Sequence, residues 1–242
     1  MIERYRINYI TADSLTDFGS PRPDQQRVLA AAFSEGSHQF AIGNQTYDFA
    51  GLPYAGVEVA NIARDIPDTT PLFNQAFSRT AIEPQMNQYP IVHFATHAEL
   101  VPGLPEASFI LFGNGDRVTL RDIADWSLPD VQLLVLSACR TAGRFEGNGS
   151  EILGFGFQIQ QARVRAAIAS LWAVNDGGTQ VLMNAFYSAL SQGMTEAEAL
   201  RQAQIALIRG NTEQGDTALN ALSDNLHQPY YWAPFILIGN GL

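Results

Sequence analysis

The sequence predicts an α/β protein of three layers, α/β/α, around a mostly parallel central sheet of about six strands. Three observations predict it. Short, almost wholly apolar runs recur at Ile91–His97, Leu133–Cys139, Ala166–Trp172 and Pro234–Ile238. Such runs are the mark of strands buried on both faces. Amphipathic stretches of helical length separate them. Turn-forming residues fall mainly in the gaps between the two kinds of segment.

In chain order, Arg4–Thr11 alternates and predicts a strand at an edge, and Ala12–Phe18 a helical turn capped by Asp13. Ser20-Pro-Arg-Pro-Asp24 is a break. Val28–Phe33 is an apolar strand, and residues 34–53, rich in Gly, Ser, Asn and Gln, read as loop. Pro53 opens a helix over Tyr54–Arg64, closed by Asp65-Ile-Pro-Asp68. Thr69–Phe73 predicts a short strand and Ser78–Glu83 a helix. After the Ile91–His97 strand, Ser108–Phe112 and Val118–Leu120 flank Gly113-Asn-Gly-Asp116, a hairpin turn. Arg121–Trp126 is a brief helix. Glu151–Ala162 and Asp176–Gln192 are helices on either side of the Ala166–Trp172 strand. Thr195-Glu-Ala-Glu198 is a capping box that opens a helix to Arg209. Residues 210–229 are a polar loop before the last strand. Without repeats or low-complexity linkers, residues 1–242 read as a single domain.

Composition narrows the function. A net charge of −10 lacks the basic stripe that nucleic acid or an anionic lipid surface requires. No window approaches about 18 uninterrupted apolar residues, so no membrane partner is expected. Met1-Ile-Glu-Arg-Tyr-Arg6 is not a signal peptide, and a reducing, cytoplasmic setting is the expectation. One cysteine excludes an internal disulfide and multi-cysteine zinc. His93 and His97 are four apart, but Phe94 stands where a metalloprotease helix needs Glu. No metal and no cofactor is predicted.

The chemistry points to the ends of two strands. Ligands and catalytic groups in such sheets collect at the carboxyl ends of strands. Cys139 and His97 both fall there, whereas His93 lies inside its run as a core histidine. His38 and His227 sit in polar segments and are expected to be solvated. An imidazole beside a thiol lowers its pKa and then protonates the leaving amine, which is cysteine-peptidase chemistry. Backbone N–H groups of Ala98 and Cys139 are the candidate oxyanion donors. No acid is placed to orient His97, so the reading is a dyad. Trp172 and Asp176 are the candidate substrate-pocket residues. Asp176 reads first as the N-cap of its helix and second as an acidic pocket wall, with Glu146 and Glu151 as more weakly placed acids for the same task. The loop Gly143-Arg-Phe-Glu-Gly-Asn-Gly149 has Ile152 where a dinucleotide fingerprint needs its third glycine. A nucleotide-binding domain is therefore a third reading, after peptidase and non-cleaving scaffold. Tyr230-Tyr231-Trp232 is expected to serve packing.

The blocks Val92–His97, Leu134–Ala142, Ala167–Asp176, Ala197–Gln204 and His227–Gly239, in that order, resemble a CHAT domain. That family belongs to the caspase-like cysteine peptidases, with separase as a relative. The resemblance implies a caspase–haemoglobinase fold and a His–Cys dyad, which lands on His97 and Cys139. It implies an endopeptidase acting on protein or peptide substrates, latent until gated by a helical-repeat domain or partner. Its alternative is a catalytically silent caspase-fold signalling or scaffold module. Many relatives carry glycine directly after the catalytic histidine; here the residue is Ala98.

Overall fold

A computed structural model describes residues 1–12, 16, 26–42, 45–99, 107–137, 150–211 and 224–242. The apolar runs pack side by side as the inner rungs of one sheet. Its strands are β1 (Asn8–Tyr9), β2 (Val28–Ala32), β5 (Thr69–Phe73), β6 (Ile91–Ala95), β10 (Leu133–Ser137), β11 (Ala166–Ser170) and β12 (Phe235–Gly239). They lie in the order β1-β12-β11-β10-β6-β2-β5, seven strands across. Every pairing is parallel except β11–β12.

All residues of β2, β6, β10, β11 and β12 are buried, whereas the edge strands β1 and β5 are not. Alternation divides the inner strands between two cores. Val28, Ala30, Ile91, Leu133, Val135 and Ile168 face one layer, and Leu29, Val92, Phe94, Leu134 and Leu136 face the other. The first layer holds helices α1 (Pro53–Asp65), α5 (Asp176–Ser191) and α6 (Glu196–Arg209). The second holds α2 (Arg79–Ile82), α3 (Leu120–Ala124) and α4 (Ser150–Gln161). A last short helix, α7 (Pro229–Trp232), leads into β12.

The sheet runs from β2 outward to β5, returns across β2 to β6, and continues to β10 and β11. The direction of growth therefore reverses between β2 and β6. In sheets of this kind the crevice for a ligand opens at the carboxyl ends of the two strands at such a reversal.

Residues 34–53, expected as loop, contain a β-hairpin instead. Strands β3 (Ser37–Ile42) and β4 (Gln45–Ala50) pair antiparallel, with His38 opposite Phe49 and Phe40 opposite Tyr47. Phe33, Phe49, Phe109 and Leu111 form a small core under it, with Phe40 and Tyr47 packed alongside. This core joins the hairpin to a three-stranded sheet of β7 (Ala98–Glu99), β8 (Phe109–Leu111) and β9 (Arg117–Thr119). Polar residues disguised the hairpin because its outward face is solvated, while its aromatic face supplies the burial.

Other differences have local causes. The first strand shortens to Asn8–Tyr9 because Met1–Tyr5 turns back on itself, and the Arg201 guanidinium holds the carbonyls of Ile2 and Glu3. Only half of the expected capping box forms at α6: Thr195 Oγ1 accepts from the Glu198 N–H, while the Glu198 carboxylate binds Arg201 and Gln202. A complete box forms instead at α3, between Thr119 and Asp122. Asp13, the 20–24 break, Cys139, Glu146 and the 143–149 loop lie outside the described residues.

Candidate active site

β6 ends at Ala95, and the Thr96 N–H still donates to the Ser137 carbonyl of β10. His97 follows, 3% exposed. Its ring lies against Phe49 and Phe33, with centroids 5.4 and 6.1 Å away. Nε2 stands 2.7 Å from the carbonyl oxygen of Ala50, the last residue of β4. A carbonyl only accepts, so this contact requires a proton on Nε2. The sequence offered no acid to orient His97; among the described residues a backbone carbonyl holds its ring. Every residue carries a carbonyl, so no side-chain pattern could have pointed to Ala50.

The parallel register pairs Ser137 of β10 with Ala95 of β6. His97 and Cys139 each lie two residues beyond that rung in sequence, although Cys139 itself is outside the described residues. On the other side of β10, Val135 pairs with Ile168 of β11, and Ser170 ends that strand two residues later. Trp172 again follows by two. The strands β6, β10 and β11 thus end at the same level, at Ala95, Ser137 and Ser170.

Ala98 is fully buried and opens β7, opposite Ile110. The Leu111 N–H donates to the His97 carbonyl at 2.9 Å, which makes Ala98–Ile110 a non-hydrogen-bonded pair. The Ala98 N–H is therefore turned away from β8.

Trp172 is 37% exposed, and its Nε1–H donates to the Tyr230 carbonyl at 3.2 Å. Tyr230 is also exposed, while Tyr231 and Trp232 pack on the core as expected. Asp176 is not an N-cap. Asn175 takes that role at α5, its side chain accepting from the Gly178 N–H. The Asp176 carboxylate is drawn instead to the start of α1, where Oδ2 accepts from the Tyr54 N–H at 2.9 Å. Leu52 offers that helix no side-chain cap, so Asp176 supplies one from across the layer. Burial pushes the Asp176 carboxyl up to about 6, the Tyr54 N–H opposes the rise, and the charge of Glu58 adds to it. Glu151 lies in the first turn of α4.

His93 is the buried core histidine expected of it. Its Nε2 faces Glu58 Oε1 of α1 at 2.7 Å, and its Nδ1 meets the Tyr187 hydroxyl of α5 at 2.9 Å. Burial, and then the charge of Glu58, hold the Tyr187 phenol well above its ordinary pKa. It therefore stays protonated and can donate to Nδ1. His227 is exposed. His38, expected in solvent, is half-buried: its Nε2 contacts the Gly113 carbonyl at 3.0 Å and its ring stacks on Phe40. Among the described residues no group of three or more His, Cys, Asp or Glu is arranged to hold a metal ion. No helix there is long and apolar enough to cross a membrane.

A family model described as "CHAT domain" matches residues 1–240. No curated protein sequence matches the chain. Among solved structures, the Arg-specific cysteine proteinase gingipain R superposes with a TM-score of 0.54 at 11% identity, over 98% of this chain and 49% of that one. A complex of pro- and mature domains of the Porphyromonas gingivalis enzyme gives 0.52 at 10% identity, over 99% and 51%. The chain thus spans about half the length of these structures and shares the caspase–haemoglobinase fold of these proteases.

Proposed function

The chain belongs to the CHAT domain family, and from that premise we propose that it is a cysteine endopeptidase working through a His97–Cys139 dyad. The observation that carries this reading is the β6–β10 register, which sets Ala95 and Ser137, each two residues before His97 and Cys139 in sequence, on one rung at the carboxyl ends of neighbouring strands. The tautomer of His97 supports it. With Nε2–H committed to Ala50, the basic Nδ1 takes the Cys139 thiol proton as sulfur attacks the scissile carbonyl carbon. The same proton then passes to the leaving amine. The Ala98 and Cys139 N–H groups stabilise the oxyanion. Water afterwards hydrolyses the acyl-enzyme, with His97 as base.

Asp176 and the half-exposed Trp172 would border the pocket for the residue before the scissile bond, with Asp176 favouring a basic side chain there. Because the carboxyl titrates at about 6, that preference strengthens as pH rises through that value. A protein or peptide substrate and a gating helical-repeat partner follow from the family reading, and a reducing, cytoplasmic compartment from the low cysteine content. The experiment is hydrolysis of peptide reporters with Arg, Leu or Asp before the scissile bond, with Cys139→Ala as control. Arg cleavage that Cys139→Ala abolishes supports the proposal. A preference for Asp removes the role of Asp176. Hydrolysis unchanged by Cys139→Ala removes the dyad.

A further inference from the structure

The Ala50 carbonyl is held in place by contacts that converge on a residue outside the strands just described. Asn74, immediately after the edge strand β5, and Arg163 are the described non-glycine residues with positive φ; for Asn74 it is 50°. Asparagine tolerates this left-handed conformation better than most side chains. The Asn74 side-chain oxygen accepts from the backbone N–H groups of Ser34 at 2.8 Å and Glu35 at 3.0 Å, and from the Ser34 hydroxyl at 3.2 Å. Its own carbonyl accepts from the Phe77 N–H at 2.9 Å and sits so close to Gly113 that a Cβ there would lie 2.4 Å away.

Residues 33–36 form the exit of β2 and the entry to the hairpin, and they press directly on the chain next to Ala50. The Phe33 N–H donates to the Ala95 carbonyl at 3.0 Å, the Leu52 N–H to the Phe33 carbonyl at 2.9 Å, and the Gly51 N–H to the Gly36 carbonyl at 2.8 Å. A Cβ on Gly51 would meet Glu35 N at 2.4 Å. From Asn74 to the His97 ring the contacts are continuous: side-chain oxygen, the 34–35 backbone, Gly51, the Ala50 carbonyl and then Nε2.

We infer that Asn74 is a positioning residue, whose side-chain oxygen fixes the 33–36 segment and thereby the Ala50 carbonyl that sets the His97 tautomer. Its consequence for catalysis rests on the proposed role of His97 as general base; the geometric claim does not. Without that oxygen two adjacent N–H groups lose their acceptor. The carbonyl of Ala50 then drifts, and Nδ1–H molecules, which cannot accept the thiol proton at Nδ1, enter the population.

The test separates backbone strain from hydrogen bonding. Asn74→Gly keeps the left-handed backbone but removes the acceptor, whereas Asn74→Asp keeps both. The His97 ring nitrogens are read by 15N NMR, and Cys139 alkylation by iodoacetamide is followed against pH. In Asn74→Gly the ring signals should move away from the Nε2–H tautomer, and alkylation at neutral pH should slow about fivefold, the equivalent of one net hydrogen bond. Asn74→Asp should stay within about twofold of wild type on the same scale. Gly51→Ala, which strikes the same segment from the other side, should reproduce the tautomer shift. Wild-type ring signals in folded Asn74→Gly and Gly51→Ala would overturn the inference, as would equal impairment of the Gly and Asp variants. A ring that responds while wild-type alkylation ignores His97→Ala would instead remove the peptidase reading and leave the positioning role standing.

Discussion

Replacing Asp176 with Asn should stabilise the protein at neutral pH and not in acid. The carboxylate sits where two helices begin, as the first residue of α5 and as acceptor for the Tyr54 N–H of α1. Helix N-termini favour the charged form, by about 0.3–1 kcal/mol each. Burial outweighs them, and Glu58 adds its charge, so the carboxyl rises from 3.8 to about 6. Fully realised, that difference is worth roughly 3 kcal/mol. Solvent reaches this half-buried group and reduces the figure to about 1–2 kcal/mol. Between the unfolded and folded pKa values the folded chain binds more protons than the unfolded one. Its stability therefore falls as pH rises through that window, and the penalty is complete above about 6. Asparagine accepts the same N–H without a charge. In urea titrations Asp176→Asn should gain about 1–2 kcal/mol over wild type near pH 7.5 and almost nothing near pH 4, with the difference growing across the window. A difference that is flat with pH, or a variant less stable at pH 7.5, would refute the reasoning. The strain has a functional reading: a cationic substrate side chain beside Asp176 would relieve it.

His93→Ala strands the buried Glu58 without its partner and should cost about 3–5 kcal/mol in the same titrations; a loss under about 1 kcal/mol would contradict the Glu58–His93 contact. Tyr187→Phe removes only the hydroxyl facing His93 Nδ1, so a smaller loss of about 1–2 kcal/mol is expected, read as a shift in urea midpoint at constant slope.

What the sequence revealed followed from burial. β6, β10 and β11 were legible because strands covered on both faces must be apolar throughout, and that leaves a mark at every position. Cys139 and His97 stood out for ending such runs. The hairpin over Ser37–Ala50 was missed because its composition is that of a loop. Its signal was the alternation of His38 and Phe40 with Tyr47 and Phe49 on either side of a Gly-Asn pair in the sequence. Asn175 and Asp176 are adjacent and both suited to capping. Only the tertiary neighbour Tyr54 decides which one caps α5 and which reaches across to α1. The element that orients His97 was invisible for a different reason, being a carbonyl delivered by a distant strand. Asn74 was hidden in the same way, since its part depends on a backbone angle and on three groups some 40 positions earlier in the chain.

The most direct test of the dyad is the pH profile of Cys139 alkylation in wild type and in His97→Ala. With an imidazole at the thiol, wild-type Cys139 should titrate well below the ordinary cysteine value of about 8.5, and His97→Ala should return it there. Titration near 8.5 in both proteins would contradict the account, because the sulfur and the ring would then not be partners.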